Sequence, residues 1–96
     1  MSLGVVLRVP RALTAALDGH REAVLPVPAD GRLEGLLDGL RATHPALARR
    51  LRDETGRLRR FVNVYVDGLD VRRVDGLATP VREGQTVEVI QSVAGG

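Results

Sequence analysis

The residues able to do chemistry in this 96-residue chain are few, and the most suggestive stand at its end. Val93-Ala94-Gly95-Gly96 closes on two residues without side chains, so the segment can thread a channel too narrow for any other residue type. The Gly96 carboxylate stands at the tip of that segment. Two terminal glycines arise by chance in roughly 0.5% of chains of average composition, and in roughly 1% at this chain's own glycine content. The dipeptide is a moderate signal alone and a strong one directly after an apolar strand. Other chemistry is scarce. With no cysteine, the chain has no disulfide, no thiolate nucleophile and no Cys-based metal site. His20 and His44 stand apart without ligand-spaced companions, so no metal is expected. No GxxxxGK[ST] loop is present, and all 14 basic residues are arginine, so no lysine is available to hold phosphates.

Composition narrows the classes further. Ninety-six residues make one domain, 1–96, with 44% apolar and 27% charged residues, the balance of a soluble globule. No apolar run approaches the roughly 20 residues that span a bilayer. The start, Met1-Ser2-Leu3-Gly4, lacks the layout of a signal peptide, so a cytoplasmic location is expected. An isoelectric point of about 10.4 suggests nucleic acid, but the net charge is only +2, and arginine without lysine raises the former without the latter. Phe61 and Tyr65 are the only aromatics, too few for a base-stacking platform. Neither a nucleic acid nor a membrane is an expected partner. The lack of lysine matches a coding bias toward Ala, Gly, Arg, Val and Leu; it would also suit a chain carrying an activated acyl group, since no amine side chain could trap it.

The tail has to be positioned by the elements before it. Leu3–Val9 alternates as a strand with Leu3, Val5, Leu7 and Val9 on one face, closed by Pro10. A connector with a helical turn near Leu13–Leu17 leads to a second strand, Arg21–Val27, paired with the first as a hairpin. Asp30 is placed as the N-cap of a helix. Leu33, Leu36, Leu37 and Leu40 share one face of it, and burying them contributes roughly 6–12 kcal/mol gross. Thr43-His44-Pro45 breaks this helix, and a short one carrying Ala46, Leu47 and Leu51 follows. Residues 53–59 read as a polar loop. Arg60–Val66 is the clearest strand, with Val62, Val64 and Val66 on one side and Phe61, Asn63 and Tyr65 on the other. Asp67-Gly68 turns it into a shorter strand, Leu69–Arg73. Turns follow at Gly76, Thr79-Pro80 and Glu83-Gly84. The last strand, Thr86–Val93, puts Val87, Val89 and Val93 on one face and Glu88, Ile90 and Ser92 on the other. One main helix against a mixed sheet of four or five strands is an α+β, β-grasp arrangement that ends in a flexible Gly-Gly tail.

Three stretches carry a family resemblance: Arg60-Phe61-Val62-Asn63-Val64-Tyr65-Val66-Asp67-Gly68, Asp75-Gly76-Leu77-Ala78-Thr79-Pro80-Val81, and Val93-Ala94-Gly95-Gly96. They resemble the ubiquitin-like ThiS/MoaD sulfur carriers, and within them the carriers of cysteine biosynthesis. Residues 60–96 hold these motifs, and residues 1–59 match in element order. The family commonly places one or two prolines before the Val-Ala-Gly-Gly end, where this chain has Gln91 and Ser92. The resemblance implies a protein co-substrate rather than an enzyme, with no bound cofactor. An E1-like adenylating enzyme of the MoeB/ThiF type would use ATP and magnesium to convert the Gly96 carboxylate to an acyl-adenylate. A sulfur donor, either a sulfurtransferase or a cysteine desulfurase, would displace AMP and leave a C-terminal thiocarboxylate. A sulfur-accepting synthase would then take the sulfur. A free carboxylate is a poor electrophile, and without cysteine no persulfide can form here, so the terminal carbonyl is the plausible attachment point.

Around the tail, outward-facing Phe61, Tyr65 and Ile90 form a candidate docking patch for the E1-like partner, set against the ordinary occurrence of single exposed apolar residues. Arg49, Arg50, Arg52, Arg57, Arg59 and Arg60 form a basic cluster, which reads as a solvated face or a contact for an acidic surface. Three alternatives stay open: the small subunit of molybdopterin synthase, a ubiquitin-like protein modifier joined through Gly96, and a basic nucleic-acid-binding domain.

Overall fold

Alternating valines and leucines produce a sheet, and the face they share takes up the helices. The computed structural model describes residues 4–92. Strands β1 (Gly4–Arg8) and β2 (Glu22–Pro26) flank a 3-10 segment, Arg11–Leu17. Helices α1 (Leu33–Thr43) and α2 (Pro45–Leu51) follow, then β3 (Val62–Val66), β4 (Leu69–Asp70), 3-10 turns at Val71–Arg73 and Gly76–Ala78, and β5 (Thr86–Gln91). The five strands lie in the order β2-β1-β5-β3-β4. β5 runs parallel to β1 and antiparallel to β3, while the two hairpins are antiparallel. This is the expected mixed β-grasp sheet, with five strands. The expected positions Leu3 and Val93 lie outside the described residues.

The core joins Val5, Leu7, Val64, Val87 and Val89 of the sheet to Leu33, Leu36, Leu37 and Leu40 of α1. The helical layer is broader than one main helix. Leu47 and Leu51 of α2 are fully buried, and Leu13 and Leu17 of the first 3-10 segment are 1% exposed. That segment turns the long connection between β1 and β2 into a packed element. It ends at Asp18, in the left-handed region at φ 55°, whose carboxylate lies 3.1 Å from His44 Nε2. His44 thus ties this connection to the junction of α1 and α2.

Two local expectations are corrected. Asp30 is not the N-cap of α1; extended Arg32 is, with no side-chain capping bond. Asp30 Oδ1 instead accepts the Arg32 N–H at 2.9 Å. At the helix start the Leu33 N–H donates to Thr79 O at 2.9 Å, and just before the cap Gly31 O accepts the Val81 N–H at 2.9 Å, so this segment is tied to residues 79–81. The second correction shortens the fourth strand to Leu69–Asp70, because Asp70 Oδ1 accepts the Arg72 N–H at 2.9 Å and starts a 3-10 turn. A short acidic side chain competes here with the ladder. Residues 53–59 are the expected polar loop, organised by one side chain. Asp53 Oδ1 accepts from the Thr55 hydroxyl and from the N–H groups of Thr55 and Arg57. These bonds, the Thr55 hydroxyl first, hold the Asp53 carboxyl below the usual carboxylate range.

Candidate functional site at the root of the tail

β5 is hydrogen-bonded on both sides, to β1 and to β3. The chain therefore arrives at its final residues from inside the sheet, not from a free edge. The register opposes Val62 with Gln91, Asn63 with Ile90 and Tyr65 with Glu88. Ser92 extends the ladder by one bond, its N–H donating to Phe61 O at 2.8 Å. Proline at 92 would remove that bond. Gly96, the candidate reactive group, and the rest of the tail, Val93, Ala94 and Gly95, lie outside the described residues.

A chain of polar side chains fixes the tail's root, and sequence reasoning missed it. Asn63 Nδ2 donates to Ser92 Oγ at 2.7 Å. Asn63 Oδ1 in turn accepts from the Arg72 guanidinium at 2.8 Å. The other arm of Arg72 donates to Val62 O, also at 2.8 Å. A planar fork suits this double reach. Asp70 aims it by holding the Arg72 backbone. The one signal in the sequence was an asparagine at an outward position of a strand otherwise made of Val, Phe and Tyr. Nothing there marks Arg72.

The structure brings the expected docking residues together. Phe61 and Ile90 are each 42% exposed, and Tyr65 is half-buried. Ile90 faces Asn63 across the strands, so Phe61 and Tyr65, two residues either side, are its diagonal neighbours on the outer face. Polar groups limit the patch, since Tyr65 lies between Glu88 on β5 and Asp70 on β4. The two histidines stay apart from this face: His20 is exposed on the turn before β2, and His44 bonds Asp18 and Thr43. Among the described residues no group of three His, Cys, Asp or Glu side chains is placed to hold a metal.

A small α+β domain with a mixed five-stranded sheet, its last strand central and its helices on one face, is a ubiquitin-like β-grasp protein. The ThiS family model matches residues 11–96, and the chain belongs to this family. It is 35% identical over 97 residues to the "Sulfur carrier protein CysO" of Mycobacterium tuberculosis, covering 98% of this chain and all of the relative. The "Small archaeal modifier protein 3" of Haloferax volcanii is 36% identical over 78 residues, 81% of this chain and 84% of that one. Among solved structures, the Amycolatopsis orientalis BexX/CysO complex contains a chain that superposes with a TM-score of 0.82 at 30% identity. That match covers 96% of this chain and 99% of the other.

Proposed function

We propose that this chain is a sulfur carrier whose working atom set is the Gly96 carboxylate. Activation begins when a carboxylate oxygen attacks the α-phosphorus of ATP in an E1-like enzyme, with magnesium balancing the phosphate charge and pyrophosphate leaving. Sulfide released by a sulfur donor then attacks the acyl-adenylate carbonyl, the C–O bond to AMP breaks, AMP departs, and the terminus becomes a thiocarboxylate. That sulfur passes to an acceptor in the biosynthesis of cysteine or a related sulfur-containing metabolite. The carrier acts as a co-substrate in the cytoplasm, and its own residues present the tail rather than activate it. The observation that carries this reading is the extent of the family match, which runs through the tail to Gly96. Further support comes from a full-length relative named as a sulfur carrier.

The tail's composition fits the task. Fixing each of its residues in a partner's channel costs about 1–2 kcal/mol of backbone entropy, which docking elsewhere must offset. The outer-face patch of Phe61, Tyr65 and Ile90 would supply part of that offset. Asn63 and Arg72 hold Ser92, the residue before the tail, to the sheet.

The test is an intact-mass measurement after incubation with an E1-like enzyme, ATP, magnesium and a sulfide source. One terminal oxygen should be exchanged for sulfur, and deleting Gly96 should abolish the exchange while leaving the melting temperature unchanged. A truncated protein that still loads would falsify the assignment. The Haloferax relative favours a second reading, a protein modifier. In that case Gly96-dependent adducts on lysines of other proteins would accumulate instead of a thiocarboxylate.

A further inference from the structure

Residues 49–60 hold six of the 14 arginines but, of the 12 acidic residues, only Asp53 and Glu54. A chain of net charge +2 therefore concentrates positive charge in one short stretch. The fold divides that stretch. Arg52 turns inward, its side chain 10% exposed, and pairs with Asp38 at 2.6 Å. Arg57 belongs to the Asp53 turn through its backbone. Arg49, Arg50, Arg59 and Arg60 instead line, with Phe61 and Gln91, a shallow groove of about 600 Å³ between the end of α2 and the tail's root. No carboxylate lines this groove, whereas the recess on the other side of Arg49 and Arg59 includes Asp53 and Glu54.

None of these four arginines pairs with a side-chain carboxylate among the described residues. Arg59 Nε donates to Arg49 O at 2.7 Å, and Arg60 lies 5.5 Å over the Phe61 ring. Guanidinium groups in the last turn of α2 suit the helix dipole, which accounts for Arg49 and Arg50 but not for Arg59 and Arg60 beyond the helix. Gathering like charges around one concave surface raises its potential and favours an anionic surface there. Position then selects the occupant. Four residues of extended chain reach at most about 14 Å beyond Ser92. Whatever channel receives the tail must open within that distance, so its rim, and not its catalytic end, meets the groove.

We propose that this groove docks the acidic rim of the channel that receives the tail in the E1-like adenylating enzyme. Asp and Glu carboxylates there face Arg49, Arg50 and Arg60. The inference rests on the sulfur-carrier reading and adds the chemistry of the partner's surface. A nucleic acid fits less well, because the groove's one aromatic ring, Phe61, lies beneath Arg60.

The experiment is ATP–pyrophosphate exchange by the E1-like enzyme, measured against carrier concentration at low and high salt. The carriers are the wild type, Arg49→Glu/Arg50→Glu, Arg49→Lys/Arg50→Lys and Arg60→Gln. The arginines changed are exposed, so melting temperatures should agree. The doubly reversed variant should raise KM roughly tenfold with kcat unchanged and lose the wild type's salt dependence, while the lysine pair restores most of the affinity. Arg60→Gln should raise KM by a smaller factor. An unchanged KM in the reversed variant, with normal wild-type exchange, overturns the docking proposal and leaves the carrier reading standing. Arginine-dependent binding of a single-stranded DNA oligonucleotide with unaltered KM also overturns it. No exchange with the wild type sinks both.

Discussion

β3 and β5 show two kinds of construction on their two faces. On the inner face Val62, Val64, Val66, Val87 and Val89 are all 5% exposed or less, and each is held by apolar burial. On the outer face these strands carry Asn63, Tyr65, Glu88 and Ile90, flanked by Phe61 and Ser92, held by a few directional bonds and open to solvent or a partner. The inner face fixes the register, because a slip of one residue would turn every valine outward. With register secured there, the outer face is released from folding duty and can present a patch and steer a tail. Stability and recognition are thus separated by parity along one pair of strands.

The sharpest way to break this division is to put a charge on each face in turn. Val64 is fully buried, and Val64→Asp leaves an unpaired carboxylate in the core. The cost should be about 4 kcal/mol or more, a large part of the roughly 5–15 kcal/mol that holds a domain together. Urea unfolding followed by circular dichroism should show a chain largely unfolded in buffer; an unchanged midpoint would contradict the role given to the inner face. Ile90→Asp is the matching change outside. Its effect on stability should be about 1 kcal/mol, from strand propensity and the partial burial of the side chain, while KM in ATP–pyrophosphate exchange rises roughly tenfold if Ile90 anchors the docking patch. If Ile90→Asp lowers stability as much as Val64→Asp does, the separation of the two faces is lost.

Both faces were legible in the sequence because the period of two survives in Val62–Val66 and Thr86–Ile90 whatever surrounds it. The same holds for α1, where four leucines mark one helical face. Legibility failed where a polar group found a partner far along the chain. Asp30 has the chemistry of a cap, yet the Leu33 N–H is taken by Thr79 O, a contact that only the fold creates. Leu69–Arg73 reads as a strand until Asp70 bonds the Arg72 backbone and cuts it short. For the site, the tail itself is a motif of residue types and could be read directly. Its root is a matter of geometry. Asn63, Arg72 and Ser92 belong to three separate segments, and no spacing rule connects them.

The most local expected effect tests that root. Arg72→Ala removes the bonds to Val62 O and Asn63 Oδ1, which leaves a partly buried carbonyl without its partner and frees Asn63 to leave Ser92. Net stability should fall by about 1–2 kcal/mol at most. The loss should be local, because the inner valines make no use of Arg72. Amide hydrogen exchange therefore discriminates better than melting temperature. The Ser92 amide, bonded to Phe61 O, should exchange roughly tenfold faster, while those of Val64 and Val89 keep their rates. Arg72→Lys should not rescue Ser92, since a single ammonium cannot reproduce the planar fork that spans a backbone carbonyl and a side-chain amide. Uniform acceleration across the sheet would make Arg72 a part of the fold's general stability. Unchanged exchange at Ser92 would mean that the ladder bond alone anchors the tail.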